Sequence, residues 1–270
     1  MFTKLIAKFK NNLILSKKKW FIWNKESSAI KEINNMKTIP SILLVGIEYQ
    51  KETIYKNTVK FAKGFKSNNA LLWGTRGNGK STIIKSIFNE ISKKYINLKL
   101  VQLEKKDLDN ISDVYNFLEI QNKFQFIIFI DDLSFENDNY EYKKIKSILD
   151  GGIKNQPNNI LIYATSNRRH LISQDMIDNE KSSAIHTHEN VEEKISLSDR
   201  FGLWIGFHNI SQDEYLKIIR NYNLYFKIEL NESQIMDSLK WSKSRGNRSG
   251  RTAWQYIIET ASNKGINIDY

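Results

Sequence analysis

Leu71 to Ser81 read LLWGTRGNGKS, a short apolar run followed by three glycines, a lysine and a hydroxyl. From Gly74 to Ser81 the stretch matches G-x-x-x-x-G-K-[ST] in full. Directly after it, Ile83, Ile84, Ile87, Phe88 and Ile91 recur on one face of a helix. Strand, glycine loop, helix is the order that turns backbone N–H groups inward around an anion and points a helix N-terminus at it. Gly74, Thr75, Arg76, Gly77, Asn78, Gly79, Lys80, Ser81 and Thr82 are therefore candidate phosphate-binding residues. Lys80 would neutralise β and γ phosphates and Ser81 would ligate magnesium. A plain structural turn needs neither the lysine nor the hydroxyl.

Working outward, four more apolar runs have strand character: LKLVQL from Leu98, FQFIIFI from Phe124, NILIYATS from Asn159 and LWIGFH from Leu203. Residues of helical character separate them, and strands alternating with helices predict a parallel sheet covered on both faces. Ahead of the loop, Ile54, Thr58, Val59 and Phe61 suit one helix. Beyond Ser211 the pattern is helical only, over SQDEYLKIIRNYN, NESQIMDSLKWSK and SGRTAWQYIIETAS. Ser211 and Asn231 are expected N-caps, and Glu214 completes a capping box with Ser211. The expected fold is α/β, a five-stranded parallel sheet sandwiched by helices with a small all-α lid. Its expected parts are a basic N-terminal arm over 1–40, a nucleotide-binding domain over 41–209 and a helical subdomain over 210–270.

Composition bounds the rest. In 270 residues, 40% hydrophobic content supports a sizeable core, and the absence of cysteine excludes disulfides, thiolate metal sites and cysteine nucleophiles. A cytoplasmic protein is the expectation. No run approaches the roughly 20 apolar residues of a membrane span. The net charge of +11 favours nucleic acid or an acidic membrane surface as partner, although a general lysine-rich bias raises charge without making a dedicated patch. The opening segment MFTKLIAKFKNNLILSKKKWFIW is basic and lacks arginine. It reads as a helical arm in preference to an organelle presequence or a membrane-surface helix.

Two further motifs fall where the chemistry needs them. FIIFIDDLSF puts Asp131 and Asp132 just past a strand, at the carboxyl edge of the sheet where the glycine loop also lies. Asp131 is the expected magnesium partner, through water, and Asp132 the group that orients and polarises an attacking water, with Glu136 its rival. In YATSNRRH, the amide of Asn167 could reach the γ phosphate or that water; an Asx turn is the alternative. Arg200 stands just before the last run and Arg251 opens the last helix, each a candidate to stabilise transition-state charge. Arg168 and Arg169 suit partner contact or capping. His170, His186 and His188 lack metal-site spacing.

Taken together these residues resemble the AAA+ ATPases, and in style the bacterial replication initiator. Blocks such as LLVGIEYQK, DDLSFE, YATSNRRHL, EEKISLSDRFGLW and RSGR are similar, with the glycine loop, to the bacterial AAA+ family called domain of unknown function 815, over Ile42 to Ile258. The resemblance implies ATP and Mg2+ as cofactors, with Lys80 and Ser81 in Walker A, Asp131 and Asp132 in Walker B, and Asn167 as sensor 1. It implies Arg200 as a finger acting in trans within a homo-oligomer, Arg251 as sensor 2 with Arg248 its rival, and Gly46 and Ile47 beside adenine. Asp132 replaces the usual glutamate. The implied activity is ATP hydrolysis coupled to lid movement and remodelling of a nucleic-acid or protein target. The alternative is a nucleotide-switched loader with slow, partner-dependent hydrolysis. A small-molecule kinase fits the helical tail less well.

Overall fold

The computed structural model describes residues 15–34, 36–133, 156–167 and 200–269. Along these, strand β1 spans Trp20–Asn24, β2 Ala29–Glu32, helix α1 Glu48–Ala62, β3 Ala70–Gly74 and α2 Lys80–Lys94. There follow β4 Leu98–Leu103, α3 Ile111–Glu119, β5 Gln125–Ile130, β6 Ile160–Ser166 and β7 Leu203–Phe207. The last elements are α4 Gln212–Phe226, α5 Glu232–Ser244 and α6 Gly250–Asn263. All five expected strands form, within a residue or so of their apolar runs.

They belong to one sheet with the order β2-β1-β4-β5-β6-β3-β7. Pairings from β1 through β4, β5, β6 and β3 to β7 are parallel, and only the outer β1–β2 pair is antiparallel. Seven strands therefore stand where five were expected. The two additional ones lie within the segment read as a helical arm: WFIWN pairs with β4, and AIKE folds back on it as a hairpin. The reason is burial on both sides of the strand. Phe21 and Trp23 enter the hydrophobic layer on one face of the sheet, while Trp20 enters the layer on the other and meets Phe88 edge-on at 4.5 Å. Neighbouring lysines mask this run in a reading of charge alone.

The central strand β5 is apolar from Phe126 to Ile130 because both its faces are covered. In β5, Phe126, Ile128 and Ile130 join α3's Val114 and Leu118, and the alternate Ile127 and Phe129 join Ile54 and Phe61 of α1 and Ile84, Ile87 and Phe88 of α2. A third hydrophobic cluster holds α4, α5 and α6 together around Tyr215, Ile219, Ile235 and Ile257. Leu43, from the segment ahead of α1, is buried in that same cluster, so the chain leading into the sheet also packs against the C-terminal helices. All three of these helices start with a side-chain cap: the expected Ser211 with Glu214 and Asn231 with Gln234, and also Ser249 with Thr252.

Candidate functional site

At the carboxyl ends of β3, β5, β6 and β7 lies a cleft of about 750 Å³. Its floor is the glycine loop with the start of α2, one wall is Asp131, Asp132, Thr165 and Asn167, and the opposite wall comes from Leu43–Ile47 and the C-terminal helices. Of the residues expected at a nucleotide, Gly46, Ile47, Arg76, Gly77, Asn78, Gly79, Lys80, Ser81, Thr82, Asp131, Asp132, Asn167 and Arg251 all line it. Gly74 and Thr75 shape the loop from behind.

The loop is fixed by contacts to the neighbouring strand. Gly74 has φ +125°, and a Cβ there would sit 2.0 Å from the Phe207 carbonyl oxygen. Thr75 N–H donates to that same carbonyl at 3.0 Å, and the Thr75 hydroxyl donates to Asn209 at 2.9 Å. Asn78 donates its side-chain amide to the His208 carbonyl at 2.7 Å. Sequence spacing pointed to none of these β7 partners, because β3 and β7 are distant in the chain and become neighbours only in the sheet.

Two hydrogen-bonded sets converge on the cleft. In the first, the Lys80 ammonium donates to the carbonyls of Gly74 at 2.7 Å and Thr75 at 2.9 Å and to Asn167 Oδ1 at 3.1 Å, while the Asn167 amide donates to Asp132. In the second, the hydroxyls of Ser81 and Thr165 donate to Asp131 Oδ1 at 2.5 and 2.6 Å. Thr165 also accepts the Asp132 N–H at 2.9 Å, tying the sets together. Asp132 itself takes φ +54°, so the turn directs consecutive carboxylates to different partners. Thr165, two residues before Asn167 on β6, is a positioning residue that the motif reading missed. The alternation of side chains along a strand is the signal that could have found it.

Burial lowers the Lys80 pKa to about 8, with Asp132 and Asp131 opposing that shift and Arg76 and Arg251 adding to it. An anion entering the cleft would raise it again. Facing the loop, the start of α6 docks directly: Arg251 N–H donates to the Gly77 carbonyl at 3.1 Å, and a Cβ on Gly77 would lie 3.0 Å from Ser249 Oγ. Arg248 instead donates to the Ile210 carbonyl at 3.4 Å and does not line the cleft. Arg200 does not line it either. Ile210, Ile218, Tyr222 and Trp254 form an apolar end opposite the carboxylates that the motif reading also missed. Glu136, Arg168, Arg169, His170, His186 and His188 lie outside the described residues.

Magnesium can be tested against these donors. Ser81 and Asp131 present a hydroxyl and a carboxylate, the hard oxygen ligands that ion takes alongside phosphate and water, so the residues fit. Among the described residues no group of three or more His, Cys, Asp or Glu gathers, and no helix is long and apolar enough to cross a membrane.

A family model described as protein of unknown function (DUF815) matches residues 16–264. Among curated proteins none matches the sequence. Among solved structures, the RuvB Holliday junction branch migration motor of Thermotoga maritima superposes with a TM-score of 0.51 at 16% identity, covering 83% of this chain and 71% of that one. The FIGL-1 AAA domain in complex with ADP gives 0.51 at 14% identity, covering 84% and 74%. The Aeropyrum pernix ORC1 protein in complex with DNA gives 0.54 at 13%, covering 83% and 65%. At such identities the likeness is one of fold, and that fold is the AAA+ P-loop architecture.

Proposed function

This chain belongs to the family described as protein of unknown function (DUF815) and has the AAA+ fold, and from that premise we propose that it binds ATP with magnesium and hydrolyses it. The observation that carries the reading is the pair of linked sets, Lys80 with Asn167 and Asp132, and Ser81 with Asp131 and Thr165, around one cleft. The chain divides in function into a nucleotide-binding unit over 41–209 and a lid over 210–270. Loop N–H groups and Lys80 hold the phosphates, Lys80 exchanging loop carbonyls for phosphate oxygens. Ser81 and Asp131 hold magnesium, which when bound neutralises phosphate charge. Asp132, oriented by Asn167, accepts the proton of the water that attacks the γ phosphorus as its bond to the bridging oxygen breaks. The apolar end at Trp254 and Tyr222, with Gly46 and Ile47, receives the base.

Arg251 reads phosphate from within the chain. Its backbone bond to Gly77 gives the lid a direct connection to the loop, so nucleotide state acts on α6. Arg200, outside the cleft, reaches the nucleotide of a second copy in a homo-oligomer. Lys80→Ala should abolish ATP binding. Arg200→Ala should retain binding and reduce turnover about 10³-fold, the low end for a supplied arginine. Wild-type hydrolysis by both variants would overturn the mechanism.

A second reading is favoured by Asp132: the carboxylate is one methylene shorter than glutamate and is engaged by Asn167. In that reading ATP is a switch for a nucleic-acid or protein loader, and hydrolysis waits on the target. Phosphate release measured with and without duplex DNA separates the two, since rapid release without a partner excludes a switch.

A further inference from the structure

The end of the sheet opposite the cleft collects a second, unrelated set of residues. Four loops meet there: 63–69 ahead of β3, 95–97 ahead of β4, 120–124 ahead of β5 and 156–159 ahead of β6. They form one surface. Asn97 donates to the Ala62 carbonyl at 3.2 Å, Gln125 N–H donates to Asn97 O at 3.0 Å, Asn69 donates to Gln156 at 2.7 Å, and Asn159 donates to Leu118 O at 3.0 Å. From the first three loops projects one large apolar side chain each: Phe65 at 63% exposure, Ile96 at 73% and Ile120 at 57%. Loop tips have no packing reason to carry such side chains, since each leaves its apolar area in water.

Lysines frame all three. Lys63 and Lys66 flank Phe65, Lys93 and Lys94 precede Ile96, and Lys123 follows Ile120, every one of them exposed. Lys19, at the start of β1 on the same face, has its pKa lowered by burial and then by the nearby Lys93 charge, a sign of how closely the cations gather. None of these four loops holds an aspartate or a glutamate, while Glu119 directly precedes Ile120 and Arg200 stands ahead of β7 at the same end of the sheet.

We infer that this face docks on an anionic lipid bilayer, with Phe65, Ile96 and Ile120 entering the acyl boundary and the surrounding lysines meeting the headgroups. Apolar tips ringed by cations suit that partner because the insertion and the charge attraction act together. Separated convex tips need no matching pockets in a bilayer, as they would in a protein. Nucleic acid is disfavoured by the chemistry: isoleucine offers no ring to stack on a base. Docked in this way, the chain keeps its cleft turned to solvent.

The test is flotation of the full chain with vesicles of phosphatidylglycerol and phosphatidylcholine in equal parts, against phosphatidylcholine alone. The chain should float with the first and not the second. Phe65→Ser/Ile96→Ser/Ile120→Ser should weaken partition about 10-fold or more with an unchanged melting temperature, and Lys63→Glu/Lys66→Glu/Lys94→Glu should abolish it. Because the chain has no cysteine, Ile96→Cys carries a single environment-sensitive dye, whose emission should shift to the blue on the anionic vesicles only. Equal behaviour on both vesicles, an unshifted dye, or wild-type partition by the apolar variant at unchanged melting temperature would each overturn the inference. So would tight binding of duplex DNA that the lysine substitutions remove and the apolar ones leave intact.

Discussion

Lys80 illustrates how one side chain couples site and stability. Its ammonium is buried at the mouth of a helix and held by two carbonyls and an amide, and burial lowers its pKa from 10.5 to about 8. Between those values the unfolded chain binds more protons than the folded one, so stability rises with pH from about 8 toward 10.5. Lys99, buried in β4 with its ammonium on the Lys18 carbonyl at 2.8 Å, adds to the same trend. Above pH 10.0 buried Tyr163, with its pKa raised to about 12, reverses it. Melting temperatures across that range should show the rise, and Lys80→Met should lessen it, leaving the share that Lys99 contributes. Gly74 makes the opposite case, in which no side chain is tolerated: at φ +125° and 2.0 Å from a carbonyl, Gly74→Ala should cost on the order of 3 kcal/mol in urea denaturation.

At the scale of elements, the start of α6 matters more than its length. Ser249 accepts the Thr252 N–H at 3.2 Å, and the same turn rests on Gly77. Ser249→Ala should lose about 1 kcal/mol of stability, as a typical cap does. Gly77→Ala places a methyl between loop and helix at 3.0 to 3.3 Å from Ser249 and Arg251, on a backbone with φ +81°. That variant should weaken ATP binding more than it lowers the melting temperature, which calorimetric titration beside thermal melting would measure. Caps, the glycine loop and the apolar runs were legible in the sequence because each is local: a cap needs residues three apart, and a buried strand shows itself as an unbroken apolar run. Thr165 and the β7 contacts were not legible, since a threonine in a strand has no distinguishing spacing and its partner Asp131 belongs to another strand.

At the scale of the whole molecule, the seven strands found among the described residues separate two chemically different ends. The carboxyl ends gather cations and carboxylates in a cleft, and the amino ends gather lysines around bare apolar tips. The hairpin of β1 and β2 closes one side of the sheet and contributes to both hydrophobic layers, so it is structural in a way that a basic arm would not be. Phe21→Ala, at a fully buried position, should therefore cost about 3 to 5 kcal/mol in urea denaturation, whereas substitution in a solvated arm would cost almost nothing.

By itself the sequence determined the strand, loop and helix around Lys80, the four later strands, the helical tail and the glycine-loop and aspartate residues of the cleft, because these rest on spacing within single elements. Tertiary structure alone decided that WFIWN joins the sheet, that Arg251 lines the cleft while Arg248 and Arg200 do not, and that Phe65, Ile96 and Ile120 share one face. Those outcomes depend on which strands become neighbours, and strand order is set by packing between residues far apart in the chain, where no periodicity reaches.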